Sequence, residues 1–136
     1  MFMEKLNARV TTQAIIVNNA NQVLLLKRNR PGGLYTLPGG TIHQGEEVKA
    51  GLKRELEEET GLRLTVGDPV WIWQSNHTGK DLLGIVFTIN EVLTGSEVVV
   101  ISEEHSASAW FSKADLFASE EVDPFIKRDE LNKIWQ

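Results

Sequence analysis

Apolar runs separated by turn-forming residues predict a chain made mostly of strands, with one long helix near its middle. Residues 11–17 and 23–28 are apolar and rich in strand-favouring side chains, and asparagines dominate the segment between them. This pattern predicts a β-hairpin with a short turn. Residues 30–40 are rich in glycine and proline and predict a loop with a very short strand inside it. Residues 47–60 have the apolar spacing of a helix, and Gly61 is the residue type that commonly ends one.

The second half of the chain continues with short strands and ends in helices. Predicted strands lie at 62–66, 70–74, 82–92, 98–101 and 108–111, and predicted helices lie at 113–117 and roughly 124–135. Strands therefore dominate, and the long central helix has a smaller helical partner at the C-terminal end. This order predicts an α/β fold (α+β in some schemes) in which helices cover the faces of a mixed sheet.

Composition narrows the class of protein to a globular domain with small ligands. The 136 residues are 41% hydrophobic and 24% charged, without repeats or a long linker, which predicts one domain over residues 1–136. No apolar run approaches the roughly 20 residues of a membrane span, and the first residues lack the apolar core of a secretory signal. With no cysteine there is no disulfide or thiolate metal site, so we expect a cytoplasmic protein.

The net charge of −5 disfavours a nucleic-acid polymer as partner, because such binding needs a basic face. It is compatible with a small phosphorylated ligand. An acidic protein that binds phosphates usually needs metal cations between the like charges.

The glutamate run in the central helix is the strongest candidate for chemistry. Taken alone, such a run most often marks a solvated helix face. At about 100° per residue, Val48, Leu52 and Leu56 form an apolar stripe along the helix. Glu55 and Glu59 fall beside this stripe and Glu58 falls at its edge. The solvent-facing side carries the remaining charged residues of the helix, which are Lys49, Lys53, Arg54 and Glu57.

Three carboxylates crowded on a partly inward side repel one another unless a cation neutralises them. The absence of a sequence-near lysine or arginine on that side favours a hard divalent ion, and an incomplete oxygen shell suits Mg²⁺ better than Ca²⁺. Gly51 lies one turn before Glu55 on the same side, at a cost to the helix of about 1 kcal/mol relative to alanine. Its missing side chain indicates either helix-to-sheet packing or the close approach of another backbone or a ligand.

Residues 40–62 match a family motif at every defined position: glycine, five residues, glutamate, seven residues, then R-E-U-x-E-E-x-G-U, where U is a bulky aliphatic residue. The segment resembles the Nudix box, and Leu37-Pro-Gly-Gly40 before it resembles the usual lead-in of that family. The resemblance implies an α/β/α Nudix sandwich with a mixed central sheet. It also implies a Mg²⁺-dependent hydrolase, with Mn²⁺ as a substitute, that cleaves the pyrophosphate linkage of a nucleoside diphosphate linked to another group. A homodimer is common among relatives.

The resemblance also implies roles for individual residues. The metal ligands would be Glu55, Glu58, Glu59 and the carbonyl oxygen of Gly39. Arg54 resembles the arginine that orients a catalytic glutamate, although an exposed ion pair with Glu58 is the plainer interpretation. Glu46 resembles an anchor between the loop and the helix. Relatives often have serine or threonine as the helix cap, where this chain has Glu47, whose carboxylate still suits a helix N-terminus.

The expected mechanism is attack of water on phosphorus, with a glutamate accepting the proton. Glu58 or Glu59 could serve, but relatives also use a base from a loop outside the box, for which Glu103 and Glu104 are candidates here. Their plainer interpretation is an exposed acidic loop. Glu59→Gln is expected to reduce turnover by orders of magnitude without loss of folding.

Residues outside the box give weaker indications about the substrate. Arg28 and Gly40 are the expected substrate contacts, and Lys27 and Arg30 are further cations near Arg28. The alternative interpretation of Arg28 is an ordinary surface charge. The aromatic candidates for base stacking are more often core residues; they are Tyr35, Trp71, Trp73, Phe87 and Trp110. The histidines at 43, 77 and 105 receive no role.

The substrate itself stays open. Residues associated with hydrolases of ADP-ribose or dinucleoside polyphosphates are absent, as are the motif of NADH-cleaving members and the cysteine of isopentenyl diphosphate isomerases. The classes that remain are canonical or damaged nucleoside triphosphates, nucleotide sugars and an uncharacterised nucleotide. The alternatives are a non-catalytic Nudix-fold module that senses a nucleotide, and an acidic interaction domain without a ligand.

Overall fold

The computed structural model describes residues 3–76 and 79–127. The strands are β1 (Arg9–Ile15), β2 (Val23–Arg28), β3 (Tyr35–Thr36), β4 (Gly39–Thr41), β5 (Val66–Ser75), β6 (Leu82–Ile89) and β7 (His105–Phe111). The helices are α1 (Val48–Thr60), α2 (Lys113–Ala118) and a 3₁₀ helix at Pro124–Lys127. Within this described part of the chain, no helix is long and apolar enough to cross a membrane.

The strands form two sheets rather than one. The four-stranded sheet has the order β4-β1-β6-β5, and the three-stranded sheet has the order β3-β2-β7. β1 and β6 are parallel, whereas β4 and β5 run antiparallel to their neighbours, so the larger sheet is mixed as predicted. The predicted α/β fold class is confirmed.

The predicted hairpin of β1 and β2 forms only at its turn. The side-chain oxygen of Asn18 accepts hydrogen bonds from the backbone amides of Ala20 and Gln22, which closes the turn. Pairing extends to Leu24, whose amide donates to Ile16. The strands then separate into different sheets, so the predicted hairpin is wrong beyond its first few residues. Each strand finds longer partners elsewhere in the chain, which a local pattern cannot indicate.

The central helix agrees with its sequence prediction. α1 begins at Val48 and ends at Gly61, which is left-handed with φ of 72°. Leu52 and Leu56 are fully buried, as the apolar stripe predicts. Glu47 occupies the N-cap position, and its side chain makes no capping hydrogen bond.

Two apolar clusters hold the fold together. In the first, Ile15 and Val86 of the larger sheet contact Leu25 of the smaller sheet and residues 116–126. In the second, α1 packs its two leucines against the opposite side of the larger sheet, on Ala14, Ile16 and Phe87. Neighbouring residues of β1 enter different clusters because strand side chains alternate between faces.

Three predicted elements differ from those in the structure. β5 is continuous from Val66, with register shifts around Pro69, so the strand predicted at 62–66 is wrong apart from its last residue. The strand predicted at 98–101 is also wrong: this segment is a loop whose Val100 amide donates to the Thr60 carbonyl. The helix predicted at 124–135 begins as the 3₁₀ helix, and the rest of it lies outside the described residues, as does the histidine at position 77.

Candidate active site

A polar cavity of about 300 Å³ lies where β1, β4 and α1 meet the end of β2 and the start of β7. It collects charged groups that are far apart in the chain. Its wall includes Arg28, Gly39, Gly40, His43, Glu55, Glu59, Glu104 and His105.

Glu59 is the most buried acid of the cavity, with 4% of the residue exposed. Burial first, and then the negative charges of Glu55 and Glu104, raise the pKa of its carboxyl group to about 8. The Gly39 amide, which donates to Glu59 Oε2 at 2.9 Å, opposes this shift, as does the charge of Arg28. Ionised Glu59 therefore needs more positive charge than the protein supplies.

Glu55 approaches the cavity through space that Gly40 leaves open. A Cβ atom on Gly40 would lie 2.6 Å from Glu55 Oε2. Glycine at this position therefore permits the carboxylate to lie against β4. The other carboxylate oxygen, Oε1, accepts a hydrogen bond from Arg54 Nη1 at 3.0 Å.

Arg54 does not stay on the solvent side, where its position on the helix predicted it. It donates two hydrogen bonds to Glu46, of 2.7 and 3.0 Å, as well as its bond to Glu55. Its long side chain reaches back across the helix, which a helical wheel of Cα positions does not represent. The premise that no nearby arginine serves the inward glutamates is therefore wrong.

Glu58 lies outside the cavity wall, and 58% of its side chain is exposed. Its carboxylate accepts from Arg54 Nη1 at 3.2 and 3.3 Å. The i,i+4 ion pair considered from the sequence is thus present together with the pairing of Arg54 to Glu46 and Glu55. Of the three glutamates predicted to converge, the structure brings two to the cavity.

Glu46 behaves as the predicted anchor between loop and helix. Its carboxylate accepts from the His43 amide at 3.0 Å and from Arg54. Those hydrogen bonds, led by that of Arg54, lower the pKa of Glu46 to about 2. A Cβ atom on Gly51 would meet Ile42 Cδ1 at 2.6 Å and Glu46 Oε1 at 2.7 Å, so the close approach that this glycine permits is made by these two side chains.

Glu103 and Glu104 are both exposed, as an acidic loop predicts, but only Glu104 lines the cavity. The β2–β7 ladder has a register shift between Lys27 and Arg28, which pairs Arg28 with His105. Such irregularities re-aim side chains at the ends of strands. Here the shift places Arg28, Glu104 and His105 on the same wall.

His105 received no role from its sequence, yet it is only 7% exposed and belongs to the cavity wall. Its Nδ1 atom has no hydrogen-bond partner, and burial, followed by the charge of Arg28, lowers its pKa. The other two cations near Arg28 do not reach the wall, since Lys27 pairs with Glu121 at 3.6 Å and Arg30 is exposed.

A second cavity of about 570 Å³ adjoins the first, and the two share Arg28 and several residues of β1 and β4. Trp73 and Phe125 form its aromatic side, with ring centroids 4.9 Å apart. The Trp73 indole lies against Gly84, where a Cβ atom would overlap it. Trp73 and Phe125 also pack against the first apolar cluster, the other aromatic candidates belong to core contacts, and Phe125 is an addition that no sequence pattern indicated.

The cavity offers ligands of the type that suits a hard divalent ion, although its side chains do not form a complete coordination shell. Among residues 3–76 and 79–127, no three histidine, aspartate or glutamate side chains stand in a metal-binding arrangement. The acidic groups at the wall are nevertheless oxygen donors, the type that Mg²⁺ prefers together with water and phosphate. Because burial raises the pKa of Glu59, a cation bound beside its carboxylate would favour the ionised form.

The chain is similar in sequence to known proteins. The chain is 38% identical over 80 residues to an ADP-ribose pyrophosphatase of Methanocaldococcus jannaschii, which is 57% of this chain and 46% of that protein. It is 26% identical over 103 residues to a MutT-like protein of Streptomyces ambofaciens, covering 76% of this chain and 63% of that one. The chain thus spans less than two thirds of the length of either relative.

The fold has solved counterparts over nearly its whole length. The crystal structure of a MutT protein from Methanosarcina mazei matches with a TM-score of 0.80 and 29% identity, covering 95% of each chain. A family model described as the NUDIX domain matches residues 8–129, which include both sheets, α1 and the cavity. The chain therefore belongs to the Nudix (MutT-like) hydrolase family.

Proposed function

We propose that this chain is a Mg²⁺-dependent pyrophosphohydrolase that cleaves a nucleoside diphosphate linked to another group. The observation that carries the proposal is the cavity itself, in which Glu55, Glu59 and Glu104 surround a space that Arg28 also lines. Carboxylates and a guanidinium that line one space suit a cation bound together with a phosphorylated ligand. The relative named as an ADP-ribose pyrophosphatase supports the same reaction class.

The ion would be held by the carboxylates of Glu55 and Glu59, with the Gly39 carbonyl as a further ligand. Glu58 would join after leaving Arg54, whose bonds to it are longer than those to Glu46 and Glu55. When bound, Mg²⁺ or Mn²⁺ neutralises pyrophosphate charge and makes a water molecule more acidic.

The chain's own residues then bind the phosphate and accept the proton. Arg28 offers a planar guanidinium that can bind two phosphate oxygens, and Gly40 lets the pyrophosphate approach the β4 backbone. Glu104 is our preferred general base, because Glu59 is buried and accepts the Gly39 amide hydrogen bond, while Glu58 lies outside the cavity wall. Arg54 acts indirectly, by holding the Glu55 carboxylate in place.

The nucleoside would occupy the second cavity, which continues from Arg28 towards Trp73 and Phe125. Aromatic rings there offer a surface for base stacking. A small nucleotide rather than a nucleic-acid polymer is thus the expected substrate. The homodimer and the cytoplasmic location stay predictions.

The decisive experiment is a hydrolysis screen across nucleoside triphosphates, nucleotide sugars, ADP-ribose and dinucleoside polyphosphates, with Mg²⁺ or Mn²⁺ and mass identification of the products. We expect cleavage between phosphates for at least one class, none with EDTA, and loss of turnover by orders of magnitude in Glu59→Gln. Glu57→Gln is the matched control, because Glu57 is exposed on the same helix. Nucleotide binding without turnover would support a sensing module instead. Unaltered activity in Glu59→Gln would refute the assigned site.

A further inference from the structure

The segment that follows β2 is held in a tight backbone loop. The Arg30 amide donates to the Arg28 carbonyl at 3.0 Å, and the Gly33 amide donates to the Arg30 carbonyl at 2.9 Å. A Cβ atom on Gly33 would overlap the carbonyl oxygen of Arg28, so the loop closes on itself only with glycine there. Asn29 therefore has a fixed position next to Arg28, a residue of the cavity wall.

Asn29 contacts the loop that carries Glu104 through two hydrogen bonds. Its backbone amide donates to the Glu104 carbonyl at 2.9 Å. Its side-chain Nδ2 donates to the Glu103 carbonyl at 3.0 Å. Two successive carbonyls of the acidic loop are thus bound by one residue that is more than seventy positions away in the chain.

These bonds replace the sheet ladder where it becomes irregular. The regular β2–β7 pairing shifts between Lys27 and Arg28, and Arg28 is the last paired residue of β2. Glu104 lies just before β7, beyond that last pair. Its backbone position consequently depends on Asn29 and on the turn in which the His105 amide donates to the Ser102 carbonyl.

We propose that Asn29 is a positioning residue that holds Glu104 over the cavity; this inference rests on the proposed function. Asn29 does not line the cavity, so it acts through the loop rather than by touching substrate. Because Arg28 is its immediate neighbour, Asn29 fixes the phosphate-binding cation and the general base relative to each other. A misplacement of about 1 Å in such a group can cost about a hundredfold in rate.

The side-chain amide is the part of Asn29 that can be changed selectively. Asn29→Ala removes the donor to the Glu103 carbonyl and keeps the backbone bond to Glu104. Asn29→Asp keeps the size of the side chain but places an acceptor against that carbonyl. The side chain is exposed, so neither change removes buried apolar surface.

The test uses the whole chain and the best substrate of the hydrolysis screen. We expect kcat to fall about tenfold in Asn29→Ala, the scale of one hydrogen bond, and at least as far in Asn29→Asp, with KM within about twofold of wild type. In a Glu104→Gln background, Asn29→Ala should cost no further activity, because residues that act as a unit are not additive. Asn90→Ala, an exposed asparagine outside both cavities, is the control that should keep wild-type kinetics.

Several outcomes would overturn the inference. Wild-type kcat in Asn29→Ala, a change in KM alone, or full additivity with Glu104→Gln would each show that Asn29 does not act through Glu104. An active enzyme indifferent to Glu104→Gln would do the same. If Asn29→Ala fails to fold, Asn29→Asp takes its place in the same double-mutant comparison with Glu104→Gln. A wild-type protein that hydrolyses no nucleotide would instead contradict the proposed function.

Discussion

Replacing Glu59 by glutamine should stabilise the metal-free protein by an amount that grows with pH. Glutamine keeps the shape of the side chain and an oxygen that can accept the Gly39 amide hydrogen bond, but it carries no charge. In the wild-type protein, burial and then the charges of Glu55 and Glu104 raise the pKa of Glu59 from 4.5 to about 8. The folded state therefore retains a proton that the unfolded chain loses between these two values.

The size of the effect follows from proton linkage. Below the unfolded-state pKa this group does not affect the free energy of unfolding, because it is protonated in both states. As pH rises from there towards 8, the free energy of unfolding falls by about 1.4 kcal/mol for each pH unit. The shift from 4.5 to about 8 corresponds to at most about 5 kcal/mol once both states are ionised. The penalty is about 3 kcal/mol at pH 7 and less than about 1 kcal/mol at pH 5.

Urea unfolding in EDTA at several pH values between 5 and 9 would measure this difference. We expect the free energies of unfolding of wild type and Glu59→Gln to agree near pH 5 and to diverge steadily above it. Glu57→Gln, on the exposed side of the same helix, should follow the wild-type curve. Saturating Mg²⁺ should stabilise the wild type more than Glu59→Gln, because an ion that binds only the folded state adds stability.

Parallel curves for wild type and Glu59→Gln across this pH range would refute the reasoning. They would mean that Glu59 is ionised without penalty in the metal-free fold, either because it reaches solvent or because a protein cation neutralises it. An equal response of both proteins to Mg²⁺ would separately remove Glu59 from the proposed ligands.

Three further substitutions test the parts around Glu59. Gly40→Ala places a methyl group against the Glu55 carboxylate, so we expect turnover to fall at least about tenfold with a smaller effect on stability, measured by steady-state kinetics and thermal unfolding. Arg54→Lys loses the paired bonds to Glu46 and the bond to Glu55, which should lower kcat more than it raises KM; intact kcat would show that Arg54 only stabilises the helix. Trp73→Leu should raise KM by about tenfold or more with little change in kcat, since base stacking on an aromatic ring is worth about 1–3 kcal/mol. Unchanged KM would remove the second cavity from substrate binding.

The helix and its motif could be predicted because the information is local. The period of Val48, Leu52 and Leu56 defines the buried stripe of α1, and Gly61 supplies the left-handed residue that ends it. The spacing of glutamates in residues 40–62 then indicates the family and the reaction class. These features depend on residues a few positions apart, where helix geometry fixes the direction in which each Cα–Cβ bond leaves the backbone.

The arrangement of strands could not be predicted in the same way. Residues 9–15 and 23–28 have similar local patterns, yet they belong to different sheets. The parallel pairing of β1 with β6 joins segments more than seventy residues apart. Such pairings are decided by the best total burial and hydrogen bonding of the chain, which no short window contains.

Sequence alone thus determined the helix, the carboxylates it presents and the family of the chain. Tertiary structure decided which of those carboxylates reach the cavity. The Arg54 side chain donates hydrogen bonds to Glu46 and Glu55, and it also binds the exposed Glu58 carboxylate at the surface. It also decided that Arg28 and Glu104 share that cavity and that Asn29 connects their two loops. The physical reason is the same throughout, because side-chain reach and contacts between distant segments depend on the folded path of the whole chain.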